Sequence, residues 1–171
     1  MDILITLSAR YLYIIIGFIA ICYWLILPRR LKGQVLVFGL IAAIVTYTLV
    51  KIGGAVFYDP RPFVSAHTSP LIPHAVNNGF PSDHTALAAA IAVAIYPISR
   101  KFGLGLIALA LIVGVSRILA HIHSPIDIIG SFVFAAIGGV VGYYLTPKIM
   151  ERISAVMQVD MLDENKLLKK E

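Results

Sequence analysis

The chain contains little cysteine and little charge. It has a single cysteine, Cys22, and only 13 % of its 171 residues are charged. One cysteine inside an apolar run excludes an intramolecular disulfide and a cysteine-based metal cluster. The hydrophobic content of 59 % and the mean hydropathy of +0.89 lie outside the range of a water-soluble globular protein. The composition therefore predicts an integral membrane protein that forms one domain over residues 1–171.

The first ten residues lack the features of a secretory signal. They have neither a basic start nor a small-residue cleavage site. The apolar run from Tyr11 onward is long enough to span a bilayer, so we expect a retained helix. The chain also has no internal repeat, which argues against the inverted-repeat architecture of many transporters.

Five apolar runs predict an all-α, polytopic membrane helix bundle with about five transmembrane helices. The third run is short and spans a bilayer only if its flanking residues extend the helix. The runs lie at about residues 9–27, 34–56, 84–97, 104–121 and 126–146. Residues 151–171 are expected to form an amphipathic or disordered cytoplasmic tail.

Basic residues cluster in the segments 28–33 and 99–101 and in the tail. The positive-inside rule places these segments in the cytoplasm and therefore places the N-terminus and the loop from about 57 to 83 outside. The net charge of +5 then indicates orientation and not nucleic-acid binding. We expect a multi-pass protein of the plasma membrane.

Three polar motifs lie at ends of the apolar runs, all on the predicted outer face. They are Lys51 with Tyr-Asp-Pro-Arg-Pro at 58–62, Pro-Ser-Asp-His at 81–84, and Ser116-Arg117 followed by His123 and Asp127. Ionisable groups at such positions are usually functional, because hydrocarbon rejects them. Arginines for phosphate, histidines for nucleophile and acid, and a carboxylate are what phosphoryl transfer without a cofactor requires.

The third motif predicts a nucleophile and its partner. His123 and Asp127 are four residues apart on either side of Pro125, so the carboxylate can hold one ring nitrogen and leave the other free to attack. We assign Arg61 and Arg117 to phosphate binding, because a guanidinium fork fits the oxygens of a transferring phosphoryl group.

The second motif predicts the start of a helix. Pro81 and Ser82 open it, and its free N–H groups are suited to hold a phosphate. Ser82 would add a hydroxyl donor, and His84 would protonate the departing oxygen. A simple N-cap would account for Ser82 but would leave His84 unexplained.

These motifs resemble the three signatures of the type 2 phosphatidic acid phosphatase superfamily, which includes integral membrane lipid phosphatases. The matching residues are Arg61-Pro62, the segment 81–84, and Ser116-Arg117, five residues, His123, three residues, Asp127. The resemblance covers about residues 51–127, within a catalytic core of about 51–130. Many relatives have six helices, so a leading element would be lost or shortened in this chain.

Two positions depart from the family pattern. The family has a lysine seven positions before its arginine, where this chain has Gly54, and the nearest lysine is Lys51. The family usually has glycine where this chain has Asp83. With an aspartate at this position, the chain resembles the bacterial branch that hydrolyses undecaprenyl diphosphate.

The resemblance implies a mechanism. His123 would attack phosphorus with Asp127 as its partner, and His84 would protonate the leaving lipid oxygen. Arg61, Arg117, Ser82 and Lys51 would bind the phosphoryl oxygens, and no metal or other cofactor would be needed. The expected reaction is removal of the terminal phosphate of undecaprenyl diphosphate at the outer face of the membrane.

Other functions stay open at this stage. The same residues would serve a phosphatidylglycerophosphate or phosphatidic acid phosphatase, or a lipid-linked phosphotransferase. A transporter or non-catalytic membrane protein is disfavoured by the intact set of reactive residues. The sequence predicts no particular oligomeric state.

Four further loop residues and one histidine pair have alternative interpretations. His121 and His123 with His67, His74 or Asp59 would form a zinc site, but the neighbouring arginines would repel the cation. The loop side chains are either ordinary polar residues, which we favour, or contacts to the lipid headgroup. They are His67, His74, Asn77 and Asn78.

Overall fold

The computed structural model describes the backbone of residues 1–168 and the side chains of residues 1–155. It contains six helices: α1 (Asp2–Ile26), α2 (Arg29–Val56), α3 (Pro62–Ser65), α4 (Asp83–Ile95), α5 (Arg100–Leu119) and α6 (Pro125–Leu168). Within the described residues, β pairing is limited to one isolated bridge between Pro60 and Asn78. The prediction of an all-α protein is confirmed.

Four helices are long and apolar enough to cross a membrane. They are α1, α2, α5 and the part of α6 from Pro125 to Ala155, with mean hydropathies between 1.9 and 2.3. The fifth predicted run forms α4, which has 13 residues and a length of only about 20 Å. The described part of the chain thus has four long candidate spans and one short apolar helix where we predicted about five spans.

Several helix boundaries differ from the prediction. α1 begins at Asp2 and not near residue 9, and α2 begins at Arg29, so that the basic residues of segment 28–33 form its first turn. α6 continues through Pro147 and past residue 151, where a tail was expected. The side chains that would decide whether this tail is amphipathic lie outside the described residues.

The short α4 is the central helix of the bundle. It packs against α1, α2, α5 and α6, and its buried residues are mostly small, including Ala86, Ala88, Ala89, Ala90 and Ala92. Such residues let helix backbones approach closely, which is how membrane helices associate without a hydrophobic drive between them. Because neighbouring helices surround it, α4 does not need the length of a lipid-facing span.

The helix order places the three polar motifs at one end of the bundle. α2 and α5 end there, and α4 and α6 begin there. α2 and α5 begin at the other end, and their first turns carry most of the basic residues between the spans. The polar and basic segments are therefore segregated to opposite ends, as the sequence predicted.

Candidate active site

The end of α5 brings Arg117 and His123 together. After Leu119 the chain reverses at His121, whose φ is +60°. The N–H groups of Ile122 and His123 then both donate to the carbonyl of Arg117, at 3.2 and 3.3 Å. Histidine is among the residues that tolerate a left-handed backbone at the end of a helix. The exposed His121 therefore has a structural role.

Asp127 holds one nitrogen of the His123 ring. Its Oδ2 lies 3.0 Å from His123 Nδ1 and accepts a second hydrogen bond from the N–H of Ser124 at 2.9 Å. His123 and Asp127 are both buried. A carboxylate acceptor requires the proton to be on Nδ1, so Nε2 carries the lone pair. The predicted nucleophile geometry is present.

Two buried arginines face the other nitrogen. Arg61 Nη1 and Arg117 Nη2 each lie 3.3 Å from His123 Nε2. Because guanidinium groups only donate, both contacts agree with a lone pair on Nε2. Arg61 also donates to the carbonyl of Ile122 at 2.7 Å, and Arg117 donates to that of Ala9 at 3.0 Å. Two positive charges thus converge on the position that a phosphoryl group would occupy beside Nε2.

Two asparagines hold Arg61 in place. Asn77 Oδ1 accepts from Arg61 Nε at 2.8 Å, and the carbonyl of Asn78 accepts from Nη2 at 3.2 Å. The Asn78 amide also donates to two carbonyls near the end of α2, both at 2.8 Å. It accepts from two loop N–H groups, both at 3.0 Å. We predicted ordinary loop residues here, whereas the asparagines position the arginine.

A cavity of about 440 Å³ opens above these groups. Its wall includes side chains of both histidines and both arginines of the predicted site, as well as Lys51, His74 and Asp83. The full lining consists of Val50, Lys51, Gly54, Ala55, Arg61, His74, Asn77, Asn78, Phe80, Pro81, Asp83, His84, Arg117 and His123. One cavity therefore joins all three motifs.

His84 lies in the first turn of α4 and is half-buried. Its ring lies nearly perpendicular to the ring of Tyr13 of α1, with the centroids 4.5 Å apart and the planes at 86°. The sequence did not indicate a role for Tyr13, because a tyrosine within an apolar run carries no signal of a contact with a distant helix. His84 shares the cavity wall with His123, as its predicted role as a proton donor requires.

Lys51 lines the cavity but is exposed. Its Nζ lies 5.0 Å from the centroid of the Tyr47 ring, one turn earlier on α2. At Gly54, the position of the family lysine, an added Cβ would lie 3.1 Å from the carbonyl oxygen of Phe80. The close approach of this backbone explains a glycine at position 54.

Ser82 does not line the cavity. It is completely buried, and its hydroxyl lies 3.0 Å from that of Thr85. Its N–H donates to Ser131 Oγ at 3.0 Å. The structure thus places the Ser82 hydroxyl behind the start of α4, whereas the exposed Asp83 beside it reaches the cavity wall.

Burial and charge together favour an uncharged His123. Burial lowers the pKa of His123, and the positive charges of Arg117 and Arg61 lower it further, while the hydrogen bond to Asp127 opposes them. The His123 imidazole is therefore in the unprotonated form that a nucleophile needs. Burial also lowers the pKa of Arg61, while the negative charges of Asp127 and Asp83 raise it.

The residues of the alternative zinc site are not brought together. His67 and His121 are both exposed, with φ values of +51° and +60°. Within the described part of the chain, no three His, Cys, Asp or Glu side chains are placed to hold a metal ion.

Several known proteins resemble this chain in sequence. The sequence pattern of the PAP2 superfamily matches residues 32–151. The undecaprenyl-diphosphatase BcrC of Bacillus subtilis is 33 % identical over 172 residues, which cover 99 % of this chain and 88 % of the relative. The bacitracin transport permease protein BcrC of Bacillus licheniformis is 31 % identical over 143 residues, covering 82 % and 70 %.

A solved structure has a similar fold. The crystal structure of Aquifex aeolicus LpxE superposes with a TM-score of 0.62 at 22 % sequence identity, and the match covers 84 % of this chain and 85 % of that one.

Proposed function

The chain belongs to the PAP2 superfamily and is a lipid phosphate hydrolase, and on this premise we propose that it removes the terminal phosphate of undecaprenyl diphosphate through a phosphohistidine. The observation that carries the proposal is the placement of His123 Nε2 at 3.3 Å from two buried guanidinium groups while Nδ1 is held by Asp127. The undecaprenyl-diphosphatase relative supports the choice of lipid.

The first step is attack on phosphorus. The lone pair of His123 Nε2 forms the N–P bond, and the bond from phosphorus to the bridging oxygen of the diphosphate breaks. The ring becomes an imidazolium whose Nδ1 proton stays hydrogen-bonded to Asp127. Because the aspartate is buried beside the ring, it stabilises this charge strongly.

The two arginines stabilise the transferring group. Charge in phosphoryl transfer is spread over three equatorial oxygens, and catalysis depends mainly on positioning and on electrostatic stabilisation. Arg61 and Arg117 supply positive charge whose direction is fixed by their bonds to Ile122 and Ala9. Lys51 at the cavity wall adds a further, more mobile cation.

His84 handles the leaving group and the water. The negative charge of the bound diphosphate favours the protonated ring of His84, and this imidazolium donates its proton to the bridging oxygen as undecaprenyl phosphate departs. A water then attacks the phosphohistidine, and His84 accepts the proton of this water. Inorganic phosphate leaves, and both histidines return to their initial states.

We further propose that the site opens on the extracytoplasmic face of the plasma membrane. The basic residues at the opposite end of the bundle favour a cytoplasmic location for that end. In this orientation the enzyme would regenerate a carrier lipid on the outer leaflet.

The test is phosphate release by purified protein in detergent with a metal chelator present. Undecaprenyl diphosphate, phosphatidic acid and phosphatidylglycerophosphate serve as substrates for the wild type, for His123→Ala and for His121→Asn. The last is a matched control, because His121 is exposed and asparagine tolerates its left-handed backbone.

We expect chelator-resistant release that is fastest with the diphosphate, is absent in His123→Ala and is retained in His121→Asn. An acid-labile phosphoryl label should be trapped on the wild type and on His121→Asn, and should be absent from His123→Ala. Release that persists in His123→Ala would refute the histidine mechanism, and preference for another lipid would refute the proposed substrate.

A further inference from the structure

The loop between α3 and α4 brings an additional histidine into the cavity. The His74 ring lies with its centroid 6.3 Å from that of His123, and the two planes meet at 81°. His74 is half-buried and shares the cavity wall with Arg61 and Arg117. None of the three motifs includes it.

The loop holds His74 firmly on both sides. Before it, the N–H of Leu71 donates to the carbonyl of Ala120 at 3.2 Å, and Ile72 is buried in an apolar cluster beneath the loop. Three residues after His74, the side-chain oxygen of Asn77 accepts a hydrogen bond from Arg61 Nε. Anchoring at both ends gives the ring a defined position relative to the arginines.

The polar atoms of His74 are poorly satisfied by the protein. Its Nδ1 is buried and has no well-formed hydrogen bond within the described residues, only a weak interaction with the backbone of Ala75. A buried polar group without a partner is unfavourable, and a catalytic role or a bound molecule is among the reasons for which proteins retain one. Burial, followed by the charges of Arg61 and Arg117, lowers the pKa of His74 to about 4. The ring is therefore neutral near pH 7 and has one N–H donor.

The transferring phosphoryl group has three equatorial oxygens. Two guanidinium groups flank the reacting nitrogen of His123, and the hydroxyl of Ser82, the predicted additional donor, is bonded to Thr85 behind the cavity wall. The His74 ring lines the same cavity and lies nearly perpendicular to the His123 ring.

We propose that His74 is a further phosphate-binding residue of this site, whose imidazole N–H donates to an equatorial oxygen of the transferring phosphoryl group. The inference rests on the proposed function, since it assigns a donor to the same reaction. The inference predicts that His74 stabilises the trigonal-bipyramidal state of the phosphoryl group and is not needed for the folding of the loop.

The test compares His74→Phe, which retains an aromatic ring but lacks a donor, with His74→Asn and His74→Gln, which retain an N–H near Nδ1 and Nε2. His67→Asn is the matched control, because His67 lies in the same loop, is exposed, does not line the cavity and has a left-handed backbone that asparagine tolerates. The readouts are kcat/KM for undecaprenyl diphosphate and the thermal stabilisation produced by orthovanadate, a trigonal-bipyramidal phosphate analogue.

We expect His74→Phe to lower kcat/KM by about 10- to 100-fold, the range for one hydrogen bond to a charged group. It should weaken apparent vanadate binding by a similar factor. At least one of the two amide variants should recover most of both properties, and His67→Asn should match the wild type. If His74→Phe does not fold, His74→Ala with added imidazole replaces it, and the imidazole should restore activity.

Unchanged vanadate binding in His74→Phe, or equal losses in the Phe, Asn and Gln variants, would overturn the inference. The vanadate measurement needs no turnover. If the wild type bound vanadate but released no phosphate, the proposed function would fail while the role of His74 would still be measured.

Discussion

At the scale of single residues, the proposed role of His123 as a nucleophile depends on what contacts each of its two ring nitrogens. Asp127 accepts from Nδ1, and two guanidinium groups face Nε2. These contacts select one tautomer of a neutral ring. The aspartate and the arginines also have opposite effects on the pKa of His123, which makes the two influences separable by experiment.

The negative charge of Asp127 can be tested with Asp127→Asn. The amide oxygen can still accept from His123 Nδ1 and from the Ser124 N–H, but the side chain is neutral and no longer stabilises the imidazolium that forms on attack. We expect kcat to fall by about 10- to 100-fold, the range for loss of one hydrogen bond to a charged group. Asp59→Asn is the comparison, because Asp59 contacts the Ser124 hydroxyl and an amide oxygen still accepts from it. A fall of less than tenfold in Asp127→Asn would contradict the assigned role.

The protonation state of His123 can be measured directly. Because burial and two arginines lower its pKa, the neutral ring should persist as the pH falls through 6.5 and should protonate only below that value. NMR of protein with ¹⁵N-labelled histidine, assigned through His123→Ala, reports this titration. A midpoint at or above pH 6.5 would show that the hydrogen bond to Asp127 outweighs burial.

Sequence could predict some site residues better than others for physical reasons. Local geometry brings the residues of the third motif together, because they lie close in the sequence, at Arg117, His123 and Asp127. Tyr13 and His74 reach the site through tertiary contacts that leave no periodic signal. Ser82 was predicted to face the phosphate, but the direction of a residue before a helix depends on its neighbours, here Thr85 and Ser131.

At the scale of helices, the apolar runs predicted where helices occur but not where they end. Hydropathy falls at Asp2 and Arg29, yet the backbone stays helical because polar residues are suited to a first turn. The four-residue α3 is too short to produce a periodic pattern. Long apolar runs thus predict that a helix is present, while the positions of its first and last residues depend on individual side chains at the ends.

The contact between α2 and α6 depends on Gly138. A Cβ at this position would lie 2.6 Å from the carbonyl oxygen of Ala42 and 2.5 Å from Thr46 Oγ1. Gly138→Ala should therefore separate the two helices and destabilise the protein by about 1–3 kcal/mol, the usual cost of overpacking. Thermal unfolding in detergent would show a lower midpoint.

Gly105→Ala is the matched control for this helix contact. A Cβ there would meet nothing within 4 Å, so the midpoint should stay the same or rise slightly. Equal shifts for both variants would mean that loss of glycine in a helix, and not the contact between α2 and α6, determines the effect.

At the scale of the whole molecule, the two ends of the bundle differ in chemistry. The groups of the candidate site occupy one end, and the basic first turns of α2 and α5 occupy the other. The positive-inside rule relates this asymmetry to orientation. The bundle is therefore expected to insert in a single direction, with the cavity outside.

Cysteine labelling in intact cells tests this orientation. Cys22 is first replaced by alanine, because it is exposed on α1 and would react. In that background, an impermeant maleimide should label Ser69→Cys, in the loop beside the cavity, and should not label Lys101→Cys at the opposite end. The reverse pattern would place the active site in the cytoplasm and would exclude a role on the outer leaflet.

The bond from Arg117 to the carbonyl of Ala9 joins residues 108 positions apart. Arg61 similarly depends on Ile122, 61 positions later. During synthesis, α1 is made long before α5, so the acceptor of Arg117 precedes its donor. Arg61 has no acceptor at Ile122 until the chain has been translated beyond that residue. On the proposed mechanism, a product truncated before residue 122 would therefore occupy the membrane without hydrolysing lipid.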